Sequence, residues 1–291
     1  MLYLSQPVGV GFSYATTVIG SYDNETGEVA PVPKAKPEGR WSLTDPDRVN
    51  NTATAAIDVW NVVQALLGAS EESGNPKIQN RTFHLWTESY GGHCPYFDFS
   101  KRDPYDMRVD ENYTTPKHWV HFLNLASTQE ILGVSNNYTT SNRNVSSGFE
   151  QTGDMSYPNA LEALEEILNS GTRVLLQYGD SDYVCNWLGG EAVSLELNYT
   201  HSDHFRAAGY APIVFGGHEY GAVREYGNFS FTRLYESGHM TPYYQPLATL
   251  EIFRRALANL DVAEGRTVIT DTYATNGTEK STHTEVSPPP L

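Results

Sequence analysis

From Asn51 to Leu67 the apolar residues Ala55, Val59, Val62, Val63 and Leu66 recur at helical spacing, so an amphipathic helix is predicted there. Residues 1–14 read as a strand and turn, and 20–45, crowded with Pro, Gly and charge, read as a loop. Thr82 to Trp86 is a short apolar run that reads as a strand, and Thr87-Glu88-Ser89-Tyr90-Gly91-Gly92 after it reads as a sharp turn into a helix. Two short helices are expected over 116–134 and another over Ala160–Leu168, stopped at Gly171. Arg173–Tyr178 reads as a buried strand closed by Gly179-Asp180-Ser181-Asp182. Residues 185–196 read as helix, 212–216, 219–225 and 229–236 as strands, and Tyr244–Leu260 as the last helix. Strands alternating with helices predict an α/β fold with a mostly parallel sheet over residues 1–262. Beyond it, 263–291 is rich in Thr and Pro without apolar periodicity, and is expected to be a disordered tail.

Charge narrows the range of partners. The 291 residues carry a formal net charge of −16, with an isoelectric point near 4.9 and a mean hydropathy of −0.45. Nucleic-acid backbones require clustered Lys and Arg, and anionic membranes require a basic surface, so neither partner is expected. No run approaches the roughly 18 consecutive apolar residues of a spanning helix. Two cysteines, Cys94 and Cys185, are too few for a disulfide framework. The first residues have neither the basic nor the apolar stretch of a leader. Asn-x-Ser/Thr acceptors nevertheless occur at Asn24, Asn50, Asn80, Asn112, Asn137, Asn144, Asn198, Asn228 and Asn276. Read as ordinary turn residues they mean nothing; read as glycan acceptors they predict a secretory-pathway protein whose leader is missing from this chain.

Ser89 stands between a strand-like and a helix-like run, with Gly91 two residues on. A nucleophile elbow needs small neighbours in its strained turn, and here Thr87 stands where the G-x-S-x-G pattern has its first Gly. An ordinary Ser at a helix N-cap is the rival reading. Asp182 just beyond one strand and His239 just beyond another complete the chain order Ser, Asp, His of α/β-hydrolases. A serine hydroxyl needs a His to take its proton and a carboxylate to orient the imidazole. Asp180 competes with Asp182, and spacing does not choose between them. His118 with His121, and His201 with His204, lie three residues apart without a clear third ligand, and no metal site is assigned to them.

The segments QPVGVGFSY (6–14), FHLWTESYGGH (83–93), RVLLQYGDSDYVCNWLGG (173–190) and GHMTPYYQP (238–246) together resemble the serine carboxypeptidases, the fungal secreted and vacuolar type above all. The resemblance implies an α/β-hydrolase fold, Ser89 as nucleophile, Asp182 as orienting carboxylate and His239 as base. It prefers Asp182 because the family's Asp lies three residues before the Cys of its Cys-Asn-Trp segment, here Cys185. It implies the Tyr90 N–H as an oxyanion donor, Glu88 as the group that binds a substrate's free carboxylate, and Cys185 and Met240 as lining of the leaving-group pocket. Core packing is the other reading of that last pair. The implied substrates are peptide or protein C-termini, with no cofactor. Two carboxylates in hydrogen-bonding range share one proton, so acid pH is expected to favour binding. A plain N-terminal helix acid is the alternative for Glu88.

The resemblance also predicts missing parts. The family's second oxyanion donor lies in a W-N-G-G-P-G segment that has no counterpart here, and Ser5 replaces the Asp that usually precedes Gln-Pro. Between Phe97 and Lys101 the family carries a further strand, a helical cap and most of its cysteines. The chain is therefore expected to be an incomplete α/β-hydrolase, shortened at the front and in the middle. One lost oxyanion donor costs about 2.7–4 kcal/mol of transition-state stabilisation. Two other readings follow: a catalytically impaired hydrolase-like fragment, and a related esterase or acyltransferase using the same triad.

Overall fold

The computed structural model of the chain describes residues 3–23, 27–31, 39–68, 82–87, 102–110, 118–154 and 160–284. They fall into two compact units, one from residues 1–83 and 115–157, the other from 84–114 and 158–291.

The first unit holds strands β1 (Thr16–Tyr22), β2 (Val29–Pro31) and β3 (Gly39–Leu43), helix α1 (Thr52–Leu67), and helices α2 (His118–Leu123), α3 (Ala126–Leu132) and α4 (Arg143–Thr152). The loop expected over 20–45 is instead part of an antiparallel sheet of order β2-β1-β3, with Thr16 opposite Leu43 and Gly20 opposite both Pro31 and Gly39. Its Gly and Pro residues misled the reading because they sit where strands meet or end. Trp41, buried on β3, stacks on Tyr22 and donates its indole N–H to the Gly20 carbonyl at 3.0 Å. Helix α1 forms where the apolar spacing predicts it. Asn51 caps it by accepting from the Thr54 N–H, and Ala55, Val59, Val62, Val63 and Leu66 are its least exposed positions. Ala55 joins Val49, Val145 and Phe149 in this unit's core.

The second unit holds the hairpin β4 (Arg102–Asp103) and β5 (Asp106–Asp110), helix α5 (Ala160–Asn169), β6 (Val174–Gly179), α6 (Trp187–Glu196) and α7 (Ser202–Ala207). Strands β7 (Ala211–Phe215), β8 (His218–Tyr226) and β9 (Phe229–Leu234) follow, then α8 (Thr241–Tyr244) and α9 (Pro246–Leu257). Its four-stranded sheet runs β6-β9-β8-β7. The sequence predicts a mostly parallel sheet; among the described residues β6 and β9 are parallel, and β8 and β7 extend them antiparallel. Strand β9 is buried along its whole length. Its odd positions Phe229 and Phe231 pack with Leu168, Leu197 and Phe205. Leu234 packs on the opposite face with Ala248, Ile252 and Val262. Helices therefore cover both faces, the layering of an α/β protein.

Three further expectations fail here: among the described residues, 3–14 hold no strand, only an isolated bridge at Gly11. Residues 82–87 form no regular strand, and Phe83 and Leu85 are exposed. The tail expected to be disordered from 263 is ordered through 284. Its bridges pair Leu260 with Val268, Tyr226 with Ala274 and Tyr210 with Thr278, and Arg224 donates to the Glu279 carbonyl at 2.7 Å. Asp261 begins this segment by accepting the backbone N–H groups of Glu264, Gly265, Arg266 and Thr267. Burial opposes its ionisation, but those four donors outweigh burial and hold its pKa below the usual value. Hydrogen bonds to an existing sheet order this segment, and they leave no hydrophobic period to read.

Candidate active site

Strands β6 and β9 leave the sheet in register, Gly179 opposite Leu234. Two loops begin there. One carries Asp180, Ser181 and Asp182, the other Ser237, Gly238 and His239, and the Ser181 N–H donates to the Ser237 carbonyl at 2.9 Å. Gly179 is required: a Cβ there would run into the carbonyls of Ser237 and Gly238. Functional loops gather at the carboxyl ends of parallel strands, and this pair follows that rule.

Asp182 and His239 meet, with Oδ2 2.7 Å from Nδ1 and both side chains nearly buried. A carboxylate can only accept, so Nδ1 carries the hydrogen toward Asp182. The other Asp182 oxygen accepts the Cys185 N–H at 3.1 Å, which fixes the carboxylate. Burial disfavours the imidazolium, but hydrogen bonds and charge from Asp182 and Cys185 outweigh it and raise the His239 pKa to about 10. The rival Asp180 lies elsewhere, paired with Arg233 at 3.5 Å.

The hairpin β4–β5 stitches the two loops together. The Tyr105 carbonyl accepts the His239 N–H at 2.7 Å, Pro104 accepts from Tyr183 and Val184, and the Met107 N–H donates to Ser181. The Tyr105 ring lies edge-on to the imidazole with centroids 5.0 Å apart. Its phenol pKa is raised by burial first and then by Asp103, Asp182 and Cys185. Sequence reasoning missed this hairpin because a two-residue strand has no legible period. Asn186 caps α6 by accepting from Gly189, and Trp187 lies under the Arg233 guanidinium.

Ser89, Glu88, Tyr90 and Cys94 lie outside the described residues. Cys185 is a free, half-buried thiol beside His239, and Met240 follows His239 with its side chain partly exposed. Asp182, Cys185 and His239 offer ligand atoms within 4.8 Å of one another, among the described residues the one such cluster. Carboxylate, sulfur and imidazole donors suit a zinc-like cation, which would engage the His239 ring. His118 and His121 are exposed, and His204 stacks on Tyr226. Among the glycan candidates, Asn24, Asn80 and Asn112 lie outside the described residues. Asn198 and Asn276 are exposed. Asn50, Asn137 and Asn144 each donate their amide within the fold, to Asp47, Asn124 and Thr44. Asn228 donates to both Leu168 and Thr172.

The serine carboxypeptidase family matches this chain over residues 1–98 and 96–259, so the chain belongs to that family. The break between the two matched stretches falls beside the internal gap predicted after Phe97. A protein from Arthroderma otae described as carboxypeptidase S1 homolog B is 43% identical over 205 residues, covering 67% of this chain and 31% of that protein. A vacuolar serine-type carboxypeptidase of Saccharomyces cerevisiae is 38% identical over 161 residues, covering 52% of this chain and 32% of its own. The chain thus spans about a third of these curated relatives. The crystal structure of a prohormone-processing carboxypeptidase from Saccharomyces cerevisiae aligns with a TM-score of 0.46 at 16% identity, over 72% of this chain and 47% of that one. No described helix is long and apolar enough to cross a membrane.

Proposed function

We propose that this chain carries the Asp–His half and the nucleophile of a serine-type carboxypeptidase that releases C-terminal residues from peptides at acid pH. The observation that supports the reading best is the 2.7 Å bond between Asp182 and His239 at the ends of two parallel strands. In this reading Ser89 Oγ attacks the carbonyl carbon of the last peptide bond while the neutral form of His239, a minor species at acid pH because Asp182 raises its pKa, takes the hydroxyl proton on Nε2. The tetrahedral oxyanion is held by the Tyr90 N–H. Collapse breaks the C–N bond, and His239 gives its proton to the departing amine. Water then attacks the acyl ester, with His239 again taking and returning a proton, and Ser89 is regenerated.

Glu88 sits next to the nucleophile in sequence and shares a proton with the substrate's terminal carboxylate, which is why acid pH favours binding. Cys185 and Met240 line the space for the leaving residue. A secreted or vacuolar location fits both the acid preference and the Asn-x-Ser/Thr acceptors.

The test compares two blocked peptides of the same sequence, one with a free C-terminal carboxylate and one amidated. Release of the terminal residue from the free acid alone, below pH 6 and lost in Ser89→Ala, is the expected result. Equal cleavage of simple esters with no peptide turnover would favour the esterase reading, and no turnover of either would favour an impaired fragment.

A further inference from the structure

Arg233 is buried in the second unit, and both of its Nη atoms have partners. It lies over the Trp187 ring with its Cζ 4.0 Å from the centroid. Its Nη2 lies 3.5 Å from Asp180 Oδ2. The same Nη2 donates to the His283 carbonyl at 2.9 Å, and Nη1 donates to Ser281 Oγ at 3.2 Å. Asp180 in turn accepts the Ser237 N–H at 3.4 Å, two residues before His239. Asp180 is also two residues before Asp182. A single carboxylate thus touches both loops of the His–Asp pair, and its charge partner is anchored by residues 48 and 50 positions further along the chain.

We propose that Asp180 is a positioning residue for the His–Asp pair, held in place by Arg233, with Ser281 and His283 of the C-terminal segment as the outer anchor of that arginine. The role differs from that of Asp182, which touches the imidazole itself. A buried carboxylate that loses its charge partner is costly, so losing Arg233 would loosen the hold on Asp180. Trp187 holds the face of the Arg233 guanidinium, and Ser281 and His283 of the C-terminal segment hold its two Nη atoms. Lys would keep the charge but lose the planar fork that meets Asp180 and the segment at once. The ordered C-terminal segment thereby becomes part of the support of the site. Asp180 would act through geometry: it keeps the ends of the two loops together, and with them Asp182 within bonding distance of Nδ1. The charged and titratable groups that bear on the ring itself are Asp182 and Cys185, with Tyr105 packed against it.

The proposal rests on reading Asp182 and His239 as the catalytic pair, but its test needs no substrate, so failure of the peptidase reading and failure of this one are separable. The His239 ring is titrated by NMR in full-length protein with labelled histidine, its signal assigned by its loss in His239→Asn. In Asp180→Asn and in Arg233→Lys the pKa of His239 is expected to fall by about one unit, because Asp182 is no longer held at its side. The fluorophosphonate reaction rate at Ser89 is expected to fall about 10²-fold in the same variants. A variant that melts earlier yet keeps the wild-type His239 titration would show a merely structural role and overturn the proposal. Should neither variant fold, the unmodified protein decides: the Ser237 amide is expected to exchange as slowly as the amides of β9, and fast exchange there overturns the proposal.

Discussion

Asp182 Oδ2 lies 2.7 Å from His239 Nδ1, across the ends of two strands that pair in parallel from Val174–Phe229 to Gly179–Leu234. Backbone geometry sets that distance before any side chain chooses a rotamer. The strands end together, and the missing Cβ of Gly179 lets the His loop lie against the Asp loop.

Replacing Asp182 with Asn removes the charge and leaves the shape. The largest raising contribution goes with the carboxylate, and the His239 pKa is expected to fall from about 10 toward its ordinary value. Because the folded value lies above the unfolded one, the pair stabilises the fold fully below about pH 6.5 and loses that contribution as pH rises through 10. Thermal melts from pH 6 to 10 are expected to slope downward in the wild type and to flatten in Asp182→Asn. Any peptidase activity is expected to drop about 10⁴-fold, since the wrong tautomer then faces the nucleophile.

Glu225 offers a second pH signature. Fully buried, it accepts from the Val262 N–H and pairs with Arg173 at 2.9 Å. Burial nevertheless raises its pKa from 4.5 to about 7. The folded state therefore prefers the protonated acid. Its contribution is complete below pH 4.5 and is lost as pH rises through 7, a change on the order of 3 kcal/mol. Glu225→Gln imitates the protonated acid, so its stability relative to wild type is expected to rise between pH 5 and pH 8. Denaturant melts at the two pH values measure the difference.

The fold and the site were unequally legible. Strand β6, strand β9 and the helix from Asn51 were readable because apolar runs and a single apolar face are strong signals. Asp182 could not be separated from Asp180 by spacing alone; the structure separates them, since one faces an imidazole and the other a guanidinium. The sheet within residues 16–43 was illegible because Gly39 and Pro31 look like loop residues yet sit at strand ends opposite Gly20. Order in the C-terminal segment was illegible for a different reason. Thr275 is buried and bonded to Glu225 and Gly209, although nothing in the Thr-rich sequence distinguishes it from its neighbours.

Gly179→Ala tests the close approach of the two loops. The added methyl meets two backbone carbonyls that cannot rotate away. A loss of about 1–3 kcal/mol in stability is expected. The His239 titration is expected to move with it, because the loop that carries the ring is the part displaced.

Glu88→Gln tests the proposed carboxylate contact. The amide cannot share a proton with a substrate carboxylate, so the acid limb of kcat/KM for peptides is expected to flatten while esters without a free carboxylate are unaffected. An unchanged pH profile for peptides would remove Glu88 from the site.

The most direct measurement of the central claim is mass spectrometry of the intact chain after reaction with a fluorophosphonate. The account predicts one adduct per chain, mapped to Ser89 and absent in His239→Asn. A folded chain that acquires no adduct, or acquires it elsewhere, would contradict it.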